Sequence, residues 1–317
     1  VSSGTMRRDS GGPPAINPFL VPGWEESPLR PLCPWRYESH DELYVDVNHT
    51  LAAFQEYTRR MAAVENLRED GRLVLVTGES GCGKTALINR CARWTRDRLT
   101  ERGLRGVVVD LTRDGSRQSV EERMGLVAAR LLDELAHSAL LAPEALASLD
   151  SVRPSRLYAG LGNALPDDVV LIVLLPPADE VVQEVVAYAG LARRRLLFFA
   201  ESSYLGHAQV LKVRDSSPVP PITLAVGPLN QGDVRRFIED RLTRHHERGH
   251  YPRISTETMD KAAGPLRSIA MLQRILSEVY EERGKQDSGY TDDDWVTYED
   301  ITRLFYEKFF DDLRIRR

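Results

Sequence analysis

The chain has 317 residues, with 42 Lys or Arg against 47 Asp or Glu, and its formal net charge of −5 offers no global basic field for nucleic acid or an anionic membrane. Hydrophobic residues make up 42% and charged residues 28%, an ordinary balance for a soluble protein with room for one α/β domain and a smaller companion. Cys33, Cys82 and Cys91 lack metal-ligand spacing and cannot all pair with one another, so a reducing, cytoplasmic interior is expected, and the longest apolar run, residues 169–175, is far too short to span a bilayer.

No signal-peptide pattern is visible, and Val1 in place of Met suggests an alternative start codon or a trimmed chain. Residues 1–36 are rich in Ser, Gly and Pro without a sustained period and read as a flexible N-terminal arm. Phe19, Leu20, Trp24 and Trp35 are more apolar than a plain linker needs, so part of the arm is expected to lie over its own domain or a neighbour. Residues 46–68 place Leu51, Phe54, Tyr57, Met61, Val64 and Leu67 at intervals of three and four, an amphipathic helix. The apolar strand Leu73-Val74-Leu75-Val76 follows, then Gly78-Glu79-Ser80-Gly81-Cys82-Gly83-Lys84-Thr85, then a helix from Ala86 to about Leu99.

Residues 106–111 form a compact strand with Asp110 at its carboxyl end, where α/β sheets bind ligands. Helical patterns cover residues 120–137 and 143–149. Residues 169–175 are apolar on both faces, as a central parallel strand requires, and residues 196–200 form another strand running into Glu201-Ser202-Ser203. A short strand near 221–226 closes the series. Beyond Pro228 strand signals stop: Gly232-Asp233 opens a helix to about His246, Ser255 caps a second, residues 266–283 form a third, and Thr297 with Asp300 caps a fourth. The expected architecture is α/β, a three-layer sandwich with a parallel sheet over residues 37–228, followed by a small helical subdomain over 229–317.

Strand, glycine-rich loop and helix together make Gly78–Thr85 a phosphate site. The glycines let the backbone curl with its N–H groups inward, and the helix N-terminus adds its positive dipole end. Every fixed position of the Walker A pattern GxxxxGKT is filled. The cofactor expected is ATP with Mg²⁺, held by Gly78, Glu79, Ser80, Gly81, Cys82, Gly83, Lys84, Thr85 and Ala86, with Lys84 on the β- and γ-phosphates and the Thr85 hydroxyl on the metal. Cys82 reads as a small filler, the alternative being a thiol made acidic by the helix end.

A P-loop core followed by a helical bundle resembles the AAA+ ATPases and their relatives, the STAND regulators and origin-recognition-type initiators, over about residues 40–312. The resemblance implies a sensor-2 arginine in a Gly-x-x-Arg context, which Gly264-Pro265-Leu266-Arg267 supplies, and a sensor-1 polar residue, met by Ser202 or Ser203. It also implies acids at the end of the Walker B strand, and here the sequence departs: the strand ends Leu174-Leu175-Pro176-Pro177-Ala178-Asp179-Glu180. Asp179 is the candidate metal ligand and Glu180 the candidate water-polarising base, displaced by roughly 10 Å of extended chain. Asp110 or Glu201 would be a substitute acid, and Arg214 has the place of an arginine finger acting in trans. Misplaced acids would cost rate while leaving phosphate binding largely intact.

His245, His246 and His250 read as a polar turn rather than a metal site, and Arg193-Arg194-Arg195 as solvated arginines interspersed with acids rather than a nucleic-acid patch. The aromatic C-terminal helix (Tyr298, Phe305, Tyr306, Phe309, Phe310) either completes the lid or meets a partner subunit. The leading expectation is an ATP-binding, weakly hydrolysing switch that assembles with copies of itself or with a protein partner, without a membrane and without support from charge for nucleic acid. The alternatives are an active ATPase motor working on nucleic acid or protein, and a non-catalytic interaction protein with a vestigial P-loop.

Overall fold

A computed structural model describes residues 16–113, 119–177, 182–203, 205–216, 219–245, 249–285 and 294–315. The chain divides into two compact units, one of residues 31–228 and one that joins residues 1–30 to residues 229–317.

The larger unit runs α1 (Thr50–Arg60), β1 (Arg72–Thr77), α2 (Lys84–Glu101), β2 (Arg105–Asp110), α3 (Val120–His137), α4 (Pro143–Asp150), α5 (Pro154–Ala164), β3 (Val169–Leu174), α6 (Val182–Leu191), β4 (Leu196–Ser202), α7 (His207–Asp215) and β5 (Ile222–Ala225). The five strands lie in the order β2-β3-β4-β1-β5, every neighbouring pair parallel. The period of two along each strand sends alternate residues to opposite layers. Val74, Val76, Ile172, Leu197 and Phe199 pack with Tyr57, Leu87, Ile88 and Cys91 beneath α1 and α2, while Leu73, Leu75, Val173 and Phe198 pack with Leu131, Tyr158 and Tyr188 on the other face. Both faces of β3 and β4 are covered, which is why these segments read as continuous apolar runs.

The sheet and its covering helices have the architecture that the sequence pattern predicts, with local departures. The predicted helix over 46–68 is shorter: Asn48 and His49 take left-handed φ values of 45° and 68°, α1 begins at Thr50, and a separate 3₁₀ turn, Val64–Arg68, follows. Tyr57, Met61, Val64 and Leu67 are all buried, so helix and turn together satisfy the periodicity that suggested one element. Helices α6 and α7 carry weak amphipathic patterns, and neither these two nor α5 is among the elements predicted from sequence. Arg195 is not a solvated arginine: it is 3% exposed, donates from Nη1 to Leu165 O at 2.7 Å and pairs with Asp167, fastening the turn into β4.

The arm expected to be flexible is packed in part among its described residues: Phe19 and Trp24 are buried, while Leu29 is 50% exposed. Within the larger unit, Trp35 Nε1 donates to Asn89 Oδ1 at 2.9 Å and Asn89 Nδ2 to Leu32 O at 2.8 Å, binding residues 32–35 to α2. Residues 16–30 belong to the helical unit: Phe19 is fully buried with its ring 5.1 Å from that of Tyr280, and Asn17 Nδ2 donates to Ser277 O at 2.7 Å. The large apolar side chains that set this stretch apart from a linker are the ones that dock.

The helical unit contains α8 (Gln231–His245), β6 (Arg253–Ile254), α9 (Thr256–Ala262), α10 (Ile269–Gly284), β7 (Trp295–Val296) and α11 (Tyr298–Ile315). The predicted caps at Ser255 and Thr297 are present, with Thr258 N donating to Ser255 Oγ at 3.1 Å and Asp300 N to Thr297 Oγ1 at 3.2 Å. The third helix starts at Ile269 rather than Leu266 because Ser268 is its N-cap, accepting from Met271 N at 3.2 Å. Strand signals do not stop at Pro228: β6 and β7 form a two-residue parallel pair, too short to carry a readable alternation. Ile301 and Leu304 of α11 are buried and Tyr306 is 58% exposed, while the side chains of Phe309 and Phe310 lie outside the described residues.

Candidate phosphate-binding site

The site grows from the carboxyl end of β1. Gly78 N donates to Ser202 O at 3.3 Å, carrying the β1–β4 ladder one residue into the loop. Gly78 has φ 149°, and a Cβ there would stand 2.4 Å from Val226 O, so no other residue fits. Gly83, with φ 85°, is the N-cap residue of α2, and the chain enters the helix from a left-handed conformation that a side chain would strain. Glu79 and Ser80 form the exposed crest of the loop.

Lys84 is the first residue of α2 and is 6% exposed. Its Nζ donates to Gly78 O and Glu79 O at 3.0 Å each and to Ser203 Oγ at 2.9 Å, giving all three ammonium protons an acceptor. The charge is thus held on the inner side of the loop, at the opening of a helix N-terminus. Of the two serines at the end of β4, Ser203 brings its hydroxyl to Lys84, whereas Ser202 contributes its carbonyl to the ladder.

Thr85 Oγ1 donates to Glu201 Oε2 at 2.7 Å, and Glu201 is 8% exposed. Register explains the meeting: Val76 pairs with Glu201 and Thr77 with Ser202, so the polar end of β4 lies directly beside the start of the loop. Asp110 is engaged elsewhere, its Oδ1 accepting from Thr112 N at 3.1 Å and Thr112 Oγ1 at 2.6 Å in a local turn at the end of β2. Of the two substitute acids read from sequence, Glu201 alone touches the Gly78–Thr85 stretch among the contacts described.

The end of β3 carries no acid among the described residues. Leu175 N donates to Phe199 O at 2.8 Å, Pro176 is buried, and the Pro177 carbonyl accepts from Arg123 Nη2 at 2.8 Å. Arg123 is itself paired with the buried Glu184 of α6, Nε to Oε2 at 3.0 Å. Asp179 and Glu180 lie outside the described residues.

Burial pushes the Cys82 thiol above its ordinary value and the nearby Glu79 charge adds to this, with Lys84 opposing, so the thiol is not activated by the helix end. Sequence reasoning missed Asn48, whose Nδ2 donates to Cys82 O at 2.7 Å and whose own carbonyl accepts from Gly227 N at 3.2 Å. Asn48 therefore ties the segment before α1 to the loop and to the chain leaving β5. Its signal was faint: asparagine is one of the few residues that tolerate left-handed backbone.

Arg267 is exposed in the helical unit, immediately before the Ser268 cap, with its carbonyl accepting from Leu229 N at 2.8 Å. Arg214 is exposed near the end of α7 and pairs with the adjacent Asp215 at 3.0 Å. His246 lies outside the described residues, and no group of three metal-ligating side chains occurs among the described ones. No helix among the described residues is long and apolar enough to cross a membrane.

No protein-family model and no curated protein sequence matches the chain. Solved structures do. The Aeropyrum pernix ORC2 protein, in ADPNP and ADP complexes, aligns over 83% of this chain and 68% of its own at 12% identity and a TM-score of 0.53. Cdc6p from Pyrobaculum aerophilum aligns over 78% of this chain and 65% of its own at 14% identity with a TM-score of 0.53. The Aeropyrum pernix ORC1 protein, in complex with DNA, aligns over 80% of this chain and 64% of its own at 16% identity with a TM-score of 0.52. The fold is that of the origin-recognition AAA+ ATPases. At these identities the likeness is one of fold, and the chain spans about two thirds of the length of the structures it matches.

Proposed function

We propose that the protein is an ATP-binding switch of the AAA+ kind, whose nucleotide state governs assembly with copies of itself or with a protein partner, and whose hydrolysis is slow. The observation that carries this reading is the Lys84 ammonium, held on the inner face of a loop of left-handed glycines with Thr85 and the α2 N-terminus beside it. A buried cation and a helix N-terminus in one concavity suit a polyphosphate. In this reading Lys84 grips the β- and γ-phosphates, Ser203 positions Lys84, and Arg267 of the helical unit is the γ-phosphate sensor. The hydroxyl of Thr85 and the carboxylate of Glu201 are hard oxygen donors 2.7 Å apart, a set that fits Mg²⁺, which when bound would neutralise phosphate charge.

Slow turnover follows from the end of β3, where Leu175, Pro176 and Pro177 stand in place of water-positioning acids. Glu201 favours a second reading, an ATPase with substantial turnover, because it sets one carboxylate at Thr85. Sedimentation of the wild type with and without ATP, alongside Lys84→Ala, tests the switch. ATP-dependent assembly that the variant loses is expected, with phosphate release in the wild type little above that of the variant. Identical assembly of both proteins in both conditions contradicts the switch, and rapid phosphate release favours the second reading.

A further inference from the structure

Asn48 is held in a conformation that most residues avoid. It and His49 take left-handed φ values of 45° and 68° in succession, and the Asn48 side chain is buried with no partner for its Oδ1 among the described residues. Both features work against stability, since left-handed backbone strains a side chain and a buried acceptor without a donor has lost its hydration. Two contacts fix the residue: its Nδ2 donates to Cys82 O at 2.7 Å, and its own carbonyl accepts from Gly227 N at 3.2 Å. The chain leaving β5 therefore braces the Gly78–Thr85 loop at both shoulders. Val226 N donates to Thr77 O at 2.9 Å and Val226 O closes the space beside Gly78, while Gly227 holds Asn48 and Asn48 holds Cys82.

Across a trans peptide the C=O of one residue and the N–H of the next point in opposite directions. Fixing the Cys82 carbonyl toward Asn48 aims the Gly83 N–H away from it, and that N–H donates to no group among the described residues. It stands immediately before Lys84, at the N-terminus of α2. An open N–H beside a helix N-terminus and an ammonium is a donor suited to a phosphate oxygen. Resting on the nucleotide reading, we propose that Asn48 is a positioning residue for the phosphate cradle: it holds the plane of the Cys82–Gly83 peptide so that the Gly83 N–H meets phosphate. Gly83, with φ 85°, gives little resistance to rotation of that peptide once the Asn48 contact is gone. A rotated peptide turns the negative end of the Cys82 carbonyl toward the phosphate in place of the N–H.

Calorimetry on the full chain, with Mg·ATP and inorganic triphosphate as separate titrants, tests this on wild type, Asn48→Gly, Asn48→Asp, Thr50→Ala and Lys84→Ala, with urea denaturation of each. Glycine keeps the left-handed backbone and removes only the side chain. Asn48→Gly is expected to weaken both ligands by the same factor, roughly fivefold, with a denaturation midpoint close to that of the wild type. Asn48→Asp, which has no donor for Cys82 O and adds a negative charge, is expected to lose at least about tenfold on both. Thr50→Ala removes the 2.6 Å bond from Thr50 Oγ1 to Val47 O in the same turn and is expected to keep wild-type affinities. Three results overturn the proposal: unchanged affinity in Asn48→Gly, a loss confined to Mg·ATP with triphosphate unaffected or not bound at all, and an equal loss in Thr50→Ala. The first leaves Asn48 no role at the phosphate, the second moves its role to the base or sugar, and the third to the turn as a whole. Lys84→Ala separates the two levels: wild-type binding that this variant leaves intact contradicts the nucleotide site itself, while binding that depends on Lys84 and is indifferent to residue 48 contradicts only the role of Asn48.

Discussion

The carboxyl ends of β3 and β4 are neighbours in the sheet, and both strands are buried throughout, yet they end in opposite ways. β3 runs out into Leu175 and two prolines, of which Pro177 offers its carbonyl to Arg123. β4 runs out into Glu201, Ser202 and Ser203, which meet Thr85, Gly78 and Lys84 respectively. Strand register decides which side chains reach the loop: β4 pairs with β1 and β3 does not, so a polar end on β4 adjoins the Gly78–Thr85 loop directly. An acid can be absent from the strand where a motif expects it while a carboxylate still stands at the site.

Breaking the platform under this contrast gives the largest effect. Phe198 is fully buried on β4, its ring 5.7 Å from that of Tyr158 and 5.6 Å from that of Tyr188. Phe198→Ala is expected to cost about 3–5 kcal/mol of stability, read by urea denaturation. A loss below about 1 kcal/mol would show that β4 is not pinned by its core residues and that register does not set the site.

A finer change sharpens the comparison at the site itself. Ser203→Ala removes an acceptor 2.9 Å from the Lys84 ammonium and leaves the backbone ladder intact. It is expected to weaken ATP binding by roughly fivefold, the worth of about 1 kcal/mol, without changing the denaturation midpoint. Unchanged affinity would reduce Ser203 to an ordinary strand-end serine.

Much of this was legible because it depends on local pattern. Apolar runs of the right length marked the central strands, and the glycines, Lys84 and Thr85 marked the loop, since only a few residue types can form a phosphate cradle. Ser203 was readable as a polar residue after a buried strand, and Glu201 as one of two candidate acids. What could not be read was which candidate reaches the loop, because that follows from the strand order β2-β3-β4-β1-β5 and not from separation along the chain. Helix α6 was missed because its residues, VQEVVAYAGL, are apolar around much of the circumference, and β6 and β7 because two residues cannot show alternation. The docking of residues 16–36 was half visible: Phe19, Trp24 and Trp35 signalled burial, but composition alone could not tell that residues 16–30 join the helical unit while 32–35 join α2.

The most direct measurement is a calorimetric titration of Mg·ATP into the folded wild type and into Lys84→Ala. The wild type should give a saturable, one-site heat, weakened at least about tenfold in the variant, as expected for loss of a charge-assisted contact. Folded wild-type protein that gives no binding heat with Mg·ATP at several temperatures, or a Lys84→Ala protein that binds it as tightly as the wild type, would contradict the account.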